Sequence, residues 1–290
     1  MLPSQSLKNT DLTGASTTSS RAAGPGLLLG HTLLIVLCIV SVFPVYWMIV
    51  TSLRPTNDIY SNSLLPLNAT LEHYATVWRT IPIARMLGNT FFMSVLVTVF
   101  QLFTAILAAY AFARWTFPGD KLILGLFALT WLVPFQVTMI PNYVLVSSLG
   151  WLDSLTAIIV PQVASAFAVM LLFQSIKAFP QELVDAARID GANDWGILWR
   201  VIVPNLRASL ASLAILLFIS AWNEYLWPLL VTRNPENAVV QIGLQMFLTQ
   251  EGDQWGPLMA AATLSSLPIL LLYVVLQKQI IESFMKSGLK

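Results

Sequence analysis

Apolar residues in this chain gather in long runs separated by short polar segments. A helix that crosses a bilayer needs about 20 mostly apolar residues. Six runs reach that length, at 27–50, 87–113, 122–140, 155–173, 210–231 and 258–277. The pattern predicts an all-α, polytopic membrane protein with six transmembrane helices. The first run is too long for the ~7–15-residue apolar core of a cleaved signal, and no small-x-small site ends it. The Ser/Thr-rich segment before it, residues 1–25, reads as a disordered cytoplasmic tail. Residues 26–290 read as one six-helix transmembrane domain.

Composition narrows the class. Hydrophobic residues make up 57% and charged residues 10%, against roughly 25% charged in a soluble domain. A soluble globular enzyme, a disordered chain and a disulfide scaffold are excluded. A net charge of +1 gives no electrostatic case for nucleic acid. The single cysteine, Cys38, lies in an apolar run and reads as a small buried hydrophobe. His31 and His73 have no Cys or His at metal spacing, so no metal site is expected.

Six spans put both termini on one side, and Lys and Arg choose it. With both termini inside, eleven of the 15 basic residues are cytoplasmic. Arg54, Arg79, Arg85 and Arg233 lie opposite. Both termini are therefore expected in the cytoplasm, with a long outer loop at 54–86 and a long inner loop at 174–209.

The inner loop carries the most information. Pro180, Glu182 and Asp185 suit a helix start, and Gly191 suits its C-terminal cap. Asp194 can cap a second helix, in which Trp195, Leu198, Trp199 and Ile202 share one apolar face at the membrane boundary. The small residues Ala186, Ala187, Gly191 and Ala192, beside the acids Glu182, Asp185 and Asp190, fit a knob that docks on a basic cytoplasmic partner. They fit equally a connector packed on its own bundle.

The loop also resembles a signature of bacterial ATP-binding-cassette importer permeases: Glu-Ala-Ala, three residues, Gly, nine residues, Ile-x-Leu-Pro. Here Asp185-Ala186-Ala187 is followed by Gly191 and then by Val201-Ile202-Val203-Pro204. Further matches are 51–55, 70–74, 89–90, 108–114, 117–119, 182–192 and 222–230. They are similar to the carbohydrate type, including the second permeases of glycerol-3-phosphate and glycerophosphodiester importers. The resemblance implies a type I importer permease in a bacterial inner membrane, with a coupling loop at about 179–207. It implies a second homologous permease, two copies of a cytoplasmic ATPase and an extracytoplasmic solute-binding protein. It also implies ATPase coupling through Glu182, Asp185, Ala186, Ala187, Asp190, Gly191 and Ala192. No Gly-x-x-x-x-Gly-Lys-Ser/Thr loop occurs. The chain is thus expected not to be an enzyme and to hold no cofactor, with ATP and Mg on the partner ATPase.

For the substrate pathway the candidates are Trp222, Asn223, Glu224 and Tyr225 in the fifth run, and Trp131 and Gln136 in the third. A charge deep in a span usually faces a partner or a wet cavity. Asn hydrogen-bonds hydroxyls, and aromatic faces pack on sugar rings or over a choline cation. The same residues could instead bond neighbouring helices. Pro134 and Pro141 suit a distorted wall or gate, and Asn89 and Gln101 suit interhelical bonds. The alternative class is a secondary transporter or channel, which often shows internal repeats and several deep charges. Neither is evident here. Glycerol 3-phosphate, a glycerophosphodiester and a neutral sugar all stay open as substrates.

Overall fold

The computed structural model describes residues 25–66, 68–248 and 254–288. The expected disordered tail falls almost wholly outside the described residues. Every regular element among the described residues is helical. The chain divides into two units, 1–46 and 47–290. Helix α1, Pro25–Ser52, fills the described part of the first unit and ends in the second. Its side chains from Leu33 to Val45 are exposed, as suits a helix solvated by hydrocarbon. Cys38 is exposed among them, which corrects its expected burial. On a lipid-facing helix a small apolar side chain needs no protein core.

The second unit opens on a loop organised by Arg54. This guanidinium is fully buried and stacks on Trp47 at 4.6 Å. It donates to the carbonyls of Ser61 (2.5 Å), Ile59 (3.4 Å) and Ser63. A rigid fork of donors thus satisfies carbonyls that the loop cannot pair by itself. Helix α2, Glu72–Thr80, buries Val77 and His73. His73 lies against Gly256, where any Cβ would enter its ring.

Helix α3, Ile83–Arg114, is 32 residues long and unbroken. The third run, expected as one helix, is two: α4, Asp120–Leu132, and α5, Phe135–Ser148, bent by 96°. Pro134 forces its predecessor out of helical backbone, and Val133 is extended at ψ 120°. The fourth run is split by 41°, into α6, Leu155–Ile159, with a 3-10 turn at Val160–Gln162, and α7, Ala166–Lys177. Ser154 and Ser165 cap its two halves.

Then come α8, Gln181–Ile189; α9, Asp194–Gly196; a π-helical turn, Ile197–Ile202; and α10, Val203–Asn205. An 80° bend leads to α11, Arg207–Trp222. The fifth run also departs from expectation. It breaks at Asn223–Tyr225 and resumes as α12, Leu226–Val231, because Glu224 accepts the Trp227 N–H at 3.2 Å and so starts a new helix. Helix α13, Val240–Gln245, and α14, Trp255–Gly288, complete the chain. Among the described residues three helices are individually long and apolar enough to cross a membrane, and counting each bent pair as one span gives up to six.

Two apolar clusters line α3. One gathers Met86, Met93 and Val97 with Ile158, Trp227, Val239 and Phe247. The other gathers Ala105, Ile106 and Ala109 with Leu172, Val184, Ile197 and Leu213. Between them on α3 stands Gln101.

Beyond the first cluster, the 232–238 loop is clamped from two sides. Asn89 donates to the Glu236 and Ala238 carbonyls at 2.9 and 3.0 Å. Asp153 accepts the N–H groups of Arg233 and Asn234 at 3.0 and 2.9 Å. Asp153 holds a left-handed φ of 61° to do so.

The Asn234 and Arg233 N–H groups hold the Asp153 carboxyl below the usual aspartate range. The folded form therefore binds its proton less tightly than the unfolded form. The clamp contributes above the ordinary aspartate value of about 3.9 and is lost as pH falls through the lower folded value. Protection of the Arg233 and Asn234 amides, corrected for intrinsic exchange rates, is expected to fall in that acid window. In Asp153→Asn it is expected to start lower and stay flat.

Candidate functional site

Two features stand out: the α8 loop at one end of α3, and a polar gap beside Gln101. In the loop, Arg114 at the end of α3 donates to the carbonyls of Ile176 (2.9 Å) and Phe179 (3.0 Å), and to the Gln181 side chain. These bonds fix the start of α8. Val184 is fully buried against the second cluster, with Ala187 and Ala192 half-buried beside it. Glu182, Asp185, Ala186, Asp190 and Gly191 are exposed. Gly191 has φ +83°, and nothing lies within 4 Å of where its Cβ would be. Glycine is needed there for conformation, and the space around it is open.

The second helix starts differently from expectation. Asn193, not Asp194, is the cap, accepting the Gly196 N–H at 2.8 Å. This leaves Asp194 free to accept from Tyr110 and Arg188, each at 3.2 Å. The expected apolar face holds for Leu198 and Ile202 and gains Ile197, while Trp195 and Trp199 pack on each other at its edge. The π turn adds a residue, so Ile197 and Ile202 both reach full burial, with Leu198 beside them. Trp195 is 59% exposed, and Trp199 stacks on Phe103. Two apolar side chains that the sequence reading missed, Leu183 and Ile189, are exposed on α8, Ile189 to 87%. Their signal was available: each lies off the side that buries Val184.

The polar gap forms where spans break. The Gln101 side chain donates to the Gln162 carbonyl at 2.7 Å, and Thr104 to the Val163 carbonyl at 3.1 Å. These are the acceptors freed at the α6–α7 break. Gln101 thus makes the interhelical bond expected of it. Asn89, paired with it in that expectation, bonds a loop instead. A small pocket of about 180 Å³ is lined by Gln101, Gln162, Ser165, Phe135 and Glu224, among others. A larger one of about 440 Å³ shares Phe135 and Ser165 and adds Trp131, Phe167, Thr130 and Thr138. Trp131 and Phe167 have ring centroids 5.5 Å apart.

Of the six expected pathway residues, the structure brings Glu224 and Trp131 to these pockets. Trp222 is buried against Phe218, and Tyr225 packs on the first cluster. Asn223 is exposed and donates to the Ile219 carbonyl at 2.9 Å. Gln136 is exposed on α5 and lines neither pocket. Gln162, Ser165 and Phe167 were not singled out from sequence. The Pro161 break, which places them, was their signal.

Comparison with known proteins agrees with this geometry. Residues 101–285 match the family model described as binding-protein-dependent transport system inner membrane component. The chain belongs to this family, and is a multi-pass inner-membrane permease component of a binding-protein-dependent importer. It is 30% identical to the arabinooligosaccharides transport system permease protein AraQ of Halalkalibacterium halodurans, covering 87% of this chain and 92% of that one. It is 30% identical to the sn-glycerol-3-phosphate transport system permease protein UgpE of Yersinia pestis, covering 89% and 95%. In three dimensions it is similar to a chain from the crystal structure of a bacterial ABC transporter involved in the import of the acidic polysaccharide alginate. That match has a TM-score of 0.76 and 25% identity, over 87% of this chain and 95% of that one.

Asp194 ties the loop to α3 through Tyr110. Asp194→Ala is expected to loosen α8 by about 1 kcal/mol, the scale of a partly exposed charged hydrogen bond. Tryptic cleavage after Arg188 should accelerate several-fold, while the helical content of the permease stays unchanged.

Proposed function

We propose that this chain lines one half of an ATP-driven import pathway for a sugar-type solute and receives its power stroke through α8. The observation that carries this reading is α8 itself. It is seated on the bundle by Val184 and Arg114, yet it presents Glu182, Leu183, Asp185, Ile189 and Gly191 outward. An exposed surface of mixed acid and apolar residues suits a cleft on a partner with basic and apolar walls.

In this assignment two copies of an ATPase, carrying ATP and Mg, lie below the membrane, and a second homologous permease completes the pathway. The α8 end faces the cytoplasm with both termini, as the eleven inward basic residues favour. A solute-binding protein docks at the opposite end, near the Arg54 loop and the 232–238 loop. Closure of the ATPase pair moves α8 as a rigid body, and α3 carries the motion past Gln101 to its opposite end. Glu182, Asp185, Ala186, Ala187, Asp190, Gly191 and Ala192 form the docking surface. Glu224 and Trp131 form part of the solute path, whereas Trp222 and Tyr225 support it from the core. The named relatives span oligosaccharide and glycerol-phosphate carriers, which supports a sugar-type solute at this level of detail.

Two substitutions test the docking surface in the purified complex. Gly191→Trp adds bulk at the end of α8 but also strains its left-handed backbone, whereas Ile189→Glu, on ordinary helix, removes only the most exposed apolar contact. Each is expected to cost tenfold or more in ATPase co-purification and in ATP-linked uptake, with membrane insertion intact. Normal uptake by both variants would overturn the assignment.

A further inference from the structure

The pockets beside Gln101 have a one-sided chemistry. Glu224 has one carboxylate oxygen on the Trp227 N–H, and no ion pair among the described residues involves it. No Lys or Arg lines either pocket. The Gln101 and Gln162 amide nitrogens are each engaged by a backbone carbonyl, at 2.7 and 3.0 Å. The Ser165 hydroxyl oxygen accepts from the Ala168 N–H at 3.3 Å. The second amide N–H of each glutamine and the Ser165 O–H stay available as donors, so the polar pocket offers a visitor uncharged amide and hydroxyl groups with one acidic side chain, and no cation. The adjoining pocket offers the faces and edges of Trp131, Phe135 and Phe167.

A mixture of uncharged donors and acceptors suits sugar hydroxyls, which both donate and accept, and aromatic surfaces call for the C–H face of a sugar ring. A phosphate or carboxylate entering here would meet Glu224 with no basic side chain lining either pocket to offset the repulsion. We infer that this chain passes an uncharged, hydroxyl-rich solute of the glycoside class, and that Glu224 rejects phosphate esters and uronates. The inference rests on the proposal that these pockets lie on the solute path. It separates this chain from relatives named for glycerol 3-phosphate or alginate.

The test uses the complete purified importer, without its binding protein so that upstream selection is bypassed. Quenching of tryptophan fluorescence is read against two sets of solutes. Maltose, lactose and trehalose form one set; glycerol 3-phosphate and glucuronate form the other. A parallel series in Trp131→Phe identifies the Trp131 signal. The expected result is binding of at least one neutral sugar and at least tenfold weaker binding of both anions. Glu224→Gln should close that gap, and Glu224→Asp, which keeps the charge, should preserve it. Should Glu224→Gln fail to assemble, Ser165→Lys supplies the opposite charge in the same pocket and should raise anion binding. Equal binding of both sets by the unaltered importer, or a gap insensitive to these substitutions, overturns the inference while leaving the pathway reading intact. A Trp131 signal silent to every solute removes the pockets from the pathway and the inference with it.

Discussion

In hydrocarbon, an unpaired backbone carbonyl or amide has no water to turn to, and this chain breaks several of its spans. The structure meets that constraint from α3. Gln101 and Thr104, on an unbroken helix, reach across to the Gln162 and Val163 carbonyls that the α6–α7 break leaves open. Once these side chains are fixed, much else follows. The two apolar clusters fall on either side of them, the pockets form where they stand, and the broken helices keep their register on α3. A leucine at 101 would suit lipid better and would leave a carbonyl orphaned.

The same helix joins the pockets to the α8 loop. Its far end carries Tyr110 and Arg114, which hold the two helical pieces of that loop through Asp194 and through the carbonyls before α8. Val184, Ile197 and Ile202 then seal the loop on the second cluster. The loop is thus a built extension of the bundle rather than a tether. Its one conformationally demanding position, Gly191, lies on the open side.

Much of this was legible in the sequence, because membrane helices announce themselves by length and apolarity. α1 and α3 were found almost whole, and the apolar part of α14 was found without its C-terminal extension. The α8 loop was found because a proline, paired acids and a glycine mark its ends. Interior breaks were harder. Pro134 signalled distortion, yet a 96° bend depends on what receives the freed groups, and those partners lie elsewhere in the chain. The π turn at 197–202 brings Ile197 into the buried set with Leu198 and Ile202, which a helical face drawn at ordinary spacing did not include, while Trp195 stays exposed against Trp199. Glu224 stood out as a lone deep charge. Gln162 and Ser165 did not, since amides and hydroxyls are ordinary in spans until a break gathers them.

The placement of Gln101 also has a mechanical meaning. It pins α3 eighteen residues from Ile83 and thirteen from Arg114, so the helix is a beam with arms of roughly 27 and 20 Å at 1.5 Å per residue. Rotation about that fulcrum swings the ends in opposite directions. A displacement at the Arg114 end becomes a displacement about a third larger at the Ile83 end, by the ratio of those arms. Under the proposed coupling, a push at the Arg114 end would thereby part helices at the Ile83 end while Gln101 stayed nearly in place.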